Sequence, residues 1–319
     1  MYACSPHDSG NKPSTLYVVT AVSNPCRYAS RYRLYEDFAK MVADAGATLI
    51  TVEVAFGNRP WAVTMPGNPY HVQLRTTHEL WHKENMLNLG IQRLPQDWEY
   101  VAWIDADVQF ARPDWVRETL NQLQHYHVVQ MFALAHDLDP AHQPFQTHYG
   151  FMYSYLNNRK QNSDYSNWHP GFAWAARRES INILGGLIDW AILGAADRHM
   201  AHALIGTVEK TLHRRLSPNY KKFCLMWQDR AEKYIQRNVG FVPGLLLHFW
   251  HGKKRDRRYA ERWKILVDNE FDPMLDLKKD WQGLWQLTER NQMLRDDLRG
   301  YFRARNEDSI DLDNTESRQ

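Results

Sequence analysis

The feature that most restricts the fold is a regular exchange of short apolar runs and helical patterns. Residues 16–22 (LYVVTAV), 48–56 (TLITVEVAF), 100–104 (YVAWI) and 128–135 (VVQMFALA) are rich in branched and aromatic side chains. Each is too short for a helix and reads as a buried strand. After the first, Tyr35, Phe38, Met41, Val42 and Ala45 recur at helical spacing, and Gly46 marks the stop. Residues 77–89 (THELWHKENMLNL) predict a helix ending at Gly90, and Pro113 opens another over DWVRETLNQL. Strands that alternate with helices predict an open α/β sheet with crossovers. Ligands of such sheets gather at the carboxyl ends of the strands.

The remainder is less regular. Residues 136–169 are polar, aromatic and rich in Asn, His and Gln, which predicts a long functional loop region. A helical pattern returns from Ser180. Four segments follow: a flexible start over 1–14, a main domain over 15–265, a helical extension over 266–302 and an acidic tail over 303–319. The tail carries Glu307, Asp308, Asp311, Asp313 and Glu316 with little apolar content, and reads as disordered. Hydrophobic content of 44% suffices for a sizeable core. The three Cys form no CxxC pair, which argues against a disulfide framework and a Cys-rich zinc site and suits a reducing compartment. Neither a basic-then-apolar leader nor an apolar run near the roughly 20 residues of a membrane span occurs, so a soluble cytoplasmic protein is expected.

One apolar run ends on two carboxylates: YVAWI continues into Asp105-Ala106-Asp107. A carboxylate at the end of a buried strand is costly to desolvate unless positive charge sits beside it. Residues i and i+2 of a strand point the same way, so the two could aim at one cation. An ordinary Asp turn is the plain alternative, because DxD alone is a weak pattern. Four further segments bear on it: WHKENMLNLG (81–90), HPGFAWAARRE (169–179), GGLIDWAILGAADRHMAHAL (185–204) and HFWHGKKRDRRY (248–259). Taken in this order, the five resemble the nucleotide-sugar-dependent glycosyltransferases of the GT-A fold, near the family-two enzymes and the galactosyl- and polypeptide-GalNAc-transferases. The resemblance covers roughly residues 15–265 and rests on motif order.

It implies a GT-A fold, with a mixed, mostly parallel sheet flanked by helices. It also implies metal-dependent, inverting transfer of a sugar from a nucleotide-diphosphate carrier, UDP by default, to an acceptor hydroxyl. Mn²⁺ or Mg²⁺ would bridge the phosphates, and a His ligand favours Mn²⁺. Asp107 is the firmer metal ligand of the pattern; Asp105 contacts the ribose, or the metal through water. His251, followed directly by Gly252 and Lys253, leads His248 as the distant ligand, with packing beside Trp250 as the alternative. Lys253, Lys254 and Arg255 would neutralise the diphosphate. The loop 20–27, with Thr20, Val22 and Arg27, would hold the nucleotide base, and Glu53 the base or ribose. Lys83 would touch the nucleotide, with Asn85 and Asn88 on the same helix. An outward-facing strand position for Glu53 and surface positions for the other three are the alternatives. His169, Gly171 and Trp174 would border the donor sugar and acceptor, with Arg177 and Arg178 as anchors.

For the base, the family-two pattern has GG, an acidic turn, small residues and then Glu-Asp. Here Gly185, Gly186 and Asp189 are followed by Gly194, Ala196 and Asp197. Ala196 stands where the Glu would be, so Asp197 inherits the base role by position, and Asp189 is the candidate for the missing acceptor contact. A helix N-cap is a compatible role for Asp197. His199 and His202 would line the acceptor pocket or sit on the helix surface.

A formal net charge of +2 hides a strong segregation. Residues 210–264 hold 15 Lys plus Arg against 4 Asp plus Glu, with Trp, Tyr and Phe threaded among them. Such a stretch suits a phosphate backbone and stacked bases, or else a basic helix face beside a diphosphate pocket. The acceptor is therefore expected to be a hydroxymethylated pyrimidine in DNA, as for some bacteriophage glycosyltransferases, or a glycan, with a protein or small molecule behind them. A nucleotidyltransferase is a competing enzyme class, but SNPCRYASRY lacks the glycines of its phosphate loop. A nucleic-acid-binding protein with an inactive transferase fold is the non-enzymatic alternative.

Overall fold

A computed structural model describes residues 15–161, 167–259 and 261–311. Its strands are β1 (Leu16–Ser23), β2 (Thr48–Phe56), β3 (His71–Thr76), β4 (Tyr100–Ile104), β5 (Val108–Phe110), β6 (Val128–Gln130) and β7 (Leu134–Leu138). They continue with β8 (Pro144–Tyr149), β9 (Ala173–Arg177), β10 (Val239–Phe241), β11 (Leu245–His248), β12 (Leu277–Lys279) and β13 (Trp285–Leu287). The large sheet has the order β10-β6-β9-β4-β1-β2-β3. All its pairs are parallel except those of β9, which runs antiparallel to both β4 and β6. A smaller sheet, β5-β11-β7-β8, stands beside the end of β4, and β12 and β13 form a hairpin.

The two faces of the large sheet follow the two-residue period of its strands. Val18, Ala102 and Ile104 pack on one side with Phe38 and Val42 of the helix Ala29–Asp44. Val19, Val52 and Val101 face the other side, against Met86 and Leu87 of the helix Lys83–Ile91 and Met200 of the helix Ala196–Leu204. Gly90 does not end its helix. It lies inside it, where an added Cβ would stand 2.5 Å from Val19 Cγ1 and 2.7 Å from Val52 Cγ2. The absent side chain lets the helix settle on β1 and β2, which brings its first turn to the carboxyl end of the sheet. That helix also starts later than its pattern suggests, because Trp81 donates its backbone N–H to Ile192 O.

The run 128–135 is not one strand. Met131 N–H donates to Ala173 O, whereas Ala133 and Leu134 N–H both turn to Gly244 O. The chain therefore passes from the large sheet to the small one within three residues, and burial on both sides of the bend hides it from a hydropathy pattern. Residues 136–169 form β7, β8 and the helix Phe151–Leu156 rather than one loop, with 162–166 outside the described residues. The boundary set at 265 falls inside the helix Trp263–Asp268. Leu294, Leu298 and Phe302, from the helix Gln292–Ala304, join the main core. Residues 303–311 are not loose either: Glu307 is 1% exposed and grips Arg31 and Arg305. The expected flexible start and the tail beyond 311 lie outside the described residues. Among the described residues no helix is long and apolar enough to cross a membrane.

Candidate functional site

A cavity of about 320 Å³ opens at the carboxyl ends of β1 and β4, within the size range of small-molecule sites. The two aspartates after β4 enter it separately. Their chain is a turn that leads into β5, not a continuing strand, so the two-residue period does not carry them to one point. Asp105 donates its N–H to Phe172 O at 2.8 Å, and its carboxylate pairs with the Lys83 ammonium. Asp107 turns toward β11: its Oδ2 lies 3.1 Å from His251 Nε2 and 4.0 Å from His248 Nε2. Its Oδ1 is buried without a hydrogen-bond partner.

Asp107, His248 and His251 present ligand atoms all within 4.8 Å of one another, and Asp105 stands outside this set. The arrangement follows from sheet register. His248 pairs with Val108 of β5 on one side and Asp137 of β7 on the other. Its Nδ1 is 2.7 Å from Asp137 Oδ1, which leaves Nε2 to face His251 Nε2 at 3.1 Å. Asp137 Oδ2 accepts from His148 Nε2 at 2.7 Å and also meets Lys254. Burial pushes the Asp137 carboxyl up, but His148, His248 and Lys254 outweigh it and hold it well below the ordinary range. Burial and the Arg257 guanidinium keep His251 neutral, against the pull of Asp107. The neutral His251 ring, the His248 Nε2 that faces it, an orphaned carboxylate oxygen and a carboxylate behind one imidazole fit a divalent cation with oxygen and nitrogen donors, Mn²⁺ better than Mg²⁺. Asp137 and His148 escape sequence reasoning; a charged residue inside the apolar strand LAHDL was the one available sign.

Across the cavity stands Asp197, in the first turn of the helix Ala196–Leu204. Gly194 (φ +87) and Ala195 (φ 79) bend the chain into that turn. The N-cap position falls to Ala195, so Asp197 is not the cap. A Cβ at Gly171 would come 3.1 Å from Asp197 Oδ2, so the glycine leaves that carboxylate its space. Lys83 and Glu84 reach the same cavity from their helix. Burial pulls the Lys83 ammonium down, yet Asp105, Glu84 and Asp197 more than reverse this. Glu84, which sequence reasoning passed over, is pushed up to about 8 by burial and by Asp197, with Lys83 opposing.

The remaining candidates divide. Val22 and Lys254 line the cavity, joined by Arg31, Arg257, Arg262 and Arg305. The Arg257 Nε is buried and unpartnered. Thr20 instead donates to Ile104 O at 2.8 Å inside the sheet, Arg27 is exposed, and Lys253 approaches Asp311 at 3.9 Å. Glu53 is saturated by the 62–64 loop, accepting from Ala62, Val63 and Thr64 N–H at 2.5–3.0 Å and from the Thr64 hydroxyl at 2.6 Å. Trp174 is a core residue whose indole N–H donates to Pro170 O at 2.8 Å, bracing the loop that carries His169 and Gly171 into the cavity. Asp189 lies off the cavity, 3.4 Å from Asn85 Nδ2 and 3.6 Å from Lys279 Nζ. Asn88 holds the backbone of Leu187 in both directions. Arg177 and Arg178 bond to backbone carbonyls at Leu123 and Gln96. His199 and His202 are buried, not on a helix surface. They meet Thr211 at 2.6 Å and Thr207 at 2.9 Å, and burial lowers them to about 3 and about 4. The basic stretch 210–264 splits likewise: Lys254, Arg257 and Arg262 face the cavity, Arg230 binds Leu184 O, and Lys264 pairs with Asp268.

Such a fold, with a cation-rich cleft and a carboxylate–histidine cluster at the strand ends, defines a nucleotide-sugar transferase of the GT-A type. Residues 29–183, just under half of the chain, match the family described as glycosyl transferase family 2, and the chain is a glycosyltransferase. No curated protein matches it in sequence. Among solved structures, the catalytic domain of Drosophila beta1,4-galactosyltransferase 7 in complex with xylobiose is similar at 12% identity and a TM-score of 0.30. That similarity covers 59% of this chain and 59% of the other. A mutant of the same enzyme was solved with manganese, UDP-Gal and xylobiose. The 4-diphosphocytidyl-2C-methyl-D-erythritol synthase of Anaerococcus prevotii DSM 20548 is similar at 11% identity and a TM-score of 0.32, over 72% of this chain and 89% of that one. These are distant likenesses.

Proposed function

We propose that the protein is a metal-dependent, inverting glycosyltransferase that moves a sugar from a nucleoside-diphosphate carrier, UDP by default, to a hydroxyl of a saccharide acceptor. One observation carries the reading: the Asp107 carboxylate, whose Oδ1 has no hydrogen-bond partner among the described residues, converges through Oδ2 with two imidazole nitrogens beside a cluster of cations. Asp107, His248 and His251 would hold Mn²⁺ or Mg²⁺, which when bound neutralises charge on the departing diphosphate. Arg257 adds a fixed donor whose Nε–H has no partner among the described residues, and Lys254 adds a second cation beside Asp137. Lys83 fixes Asp105 in place for a ribose hydroxyl. Asp197 accepts the proton of the acceptor hydroxyl as that oxygen bonds to the sugar carbon and the phosphate oxygen leaves from the opposite face. DNA is not carried forward as acceptor, because the basic side chains that suggested it divide between the cavity and local backbone or ion-pair contacts.

A screen of nucleotide sugars with Mn²⁺ tests the reading, since a ligand of the native state raises its melting temperature. One nucleotide sugar should stabilise the protein with Mn²⁺ and lose that effect in Asp107→Ala, with the urea transition of the metal-free variant intact. NMR of the product anomer would then report inversion. Turnover in excess chelator, or equal turnover in Asp107→Ala, would overturn it.

A further inference from the structure

We propose that Glu84 is a second carboxyl of the acceptor subsite, donating a hydrogen bond to a hydroxyl oxygen of a polyhydroxy acceptor while Asp197 takes the proton of another hydroxyl. This deepens the function proposed above and rests on it. Glu84 sits in the first turn of the nine-residue helix Lys83–Ile91, which Gly90 seats against the sheet. It is 5% exposed and lines the cavity together with Asp197. Among the described residues no other residue gives its carboxyl a hydrogen bond or ion pair. The adjacent ammonium of Lys83 is engaged by Asp105 instead.

The backbone N–H of Glu84 itself supplies one hydrogen bond, which uses only part of the capacity of a buried carboxyl, and buried polar groups are almost always satisfied. A side chain so placed in a ligand cavity therefore has its partner in the ligand. The charged and titratable groups that face it are Lys83 on its own helix, Asp105 after β4, Asp197 across the cavity and Tyr220 from the helix Pro218–Arg230. Burial, helped by Asp197 and opposed by Lys83, keeps Glu84 protonated at neutral pH and able to donate, which leaves the base role proposed above to Asp197. One carboxyl that gives a hydrogen bond and one that takes a proton suit an acceptor with neighbouring hydroxyls, as sugars have. A second carboxyl thus reaches the cavity of Asp197 from another helix, where Ala196 offers none.

The test measures transfer to a panel of methyl glycosides of hexoses and pentoses, using whichever nucleotide sugar the Mn²⁺ screen identifies. In the wild type the acceptor KM should rise as the pH passes about 8. Glu84→Gln, which keeps an N–H donor, should hold KM near the wild-type value and abolish that alkaline rise. Glu84→Leu should raise the acceptor KM by about 10-fold or more, with Mn²⁺-dependent stabilisation by the donor unchanged. An unchanged acceptor KM in Glu84→Leu, a persisting alkaline rise in Glu84→Gln, or the absence of any acceptor in the panel would each overturn the assignment. If Glu84→Leu does not fold, the pH profiles of the wild type and Glu84→Gln decide alone. Failure of the underlying reading looks different: no nucleotide sugar would then stabilise even the wild type.

Discussion

Replacing Asp137 by Asn should weaken Mn²⁺ binding without touching any of the three residues that would hold the ion. Asp137 accepts from His248 at 2.7 Å and from His148 at 2.7 Å, and it also meets Lys254. The amide retains one acceptor oxygen where the carboxylate has two, and it loses the charge that makes the His248 ring a better electron donor. Removing such a partner lowers metal affinity about 10–100-fold, which is about 1.4–2.7 kcal/mol. The metal-free fold should lose stability as well. Three donors lose a common anion, but the Lys254 side chain is 29% exposed and can return to water, so about 2–3 kcal/mol is expected, below the full effect of breaking a sealed pair. Calorimetric titration with Mn²⁺ and urea unfolding, both at neutral pH, give the two numbers. Asp105→Asn is the control, since Asp105 lies outside the donor set and should leave the Mn²⁺ affinity within about twofold. Wild-type affinity in Asp137→Asn, or equal losses in the two variants, would refute the idea that Asp137 orients the histidine.

Three further perturbations probe other parts of the molecule. Gly90→Ala should cost about 1–2 kcal/mol in urea unfolding, because overpacking against two branched side chains outweighs the gain of about 1 kcal/mol in helix propensity; a raised midpoint would contradict the close approach. Melting temperature of the metal-free protein should peak near pH 6.5. Below that pH the unfolded chain protonates histidines that burial keeps neutral, namely His82 (about 4), His199 (about 3) and His202 (about 4), and each removes up to about 1.4 kcal/mol per pH unit. Above it the folded state retains the Glu84 proton that the unfolded state has lost, so stability should decline up to pH about 8; a continued rise to that pH would sink the assignment. Glu307→Ala strands Arg305, which is 4% exposed, and should destabilise by about 3–5 kcal/mol, whereas a loss under about 1 kcal/mol would mean that the C-terminal segment is only loosely attached.

The strands of the large sheet were legible where a short run of branched and aromatic residues stood alone between helical patterns and turns, as for β1, β2 and β4. They were illegible where the chain changed sheets while remaining buried, as between Gln130 and Leu134. Short edge strands such as β3 and β8 are half-exposed and carry little hydrophobic signal. In the site, motif order singled out Asp107, His248 and His251, which the fold gathers at one place. The argument that aimed Asp105 and Asp107 at one cation assumed a strand where the chain in fact turns. For Asp137 a charge inside an apolar strand was the only sign, because its place beside His248 is a property of the β7–β11 register.

The deeper limit lies in the carboxylates themselves. Glu53 and Asp107 follow or interrupt apolar runs and Glu84 stands among polar residues, yet all three look alike as letters. What separates them is the set of donors that the fold delivers to each. Glu53 receives four hydrogen bonds from one loop and has no capacity left for a ligand. Asp107 receives too few and keeps an oxygen without a partner among the described residues, in a carboxylate that meets two imidazoles, where a cation would complete it. Glu84 receives only its own backbone N–H, and burial favours its neutral form and turns an acid into a donor. Since backbone N–H groups and distant side chains decide between these states, the chemistry of a buried acid is a tertiary property. A search of other GT-A clefts for function should therefore rank carboxylates by unsatisfied oxygens before ranking them by position in a motif.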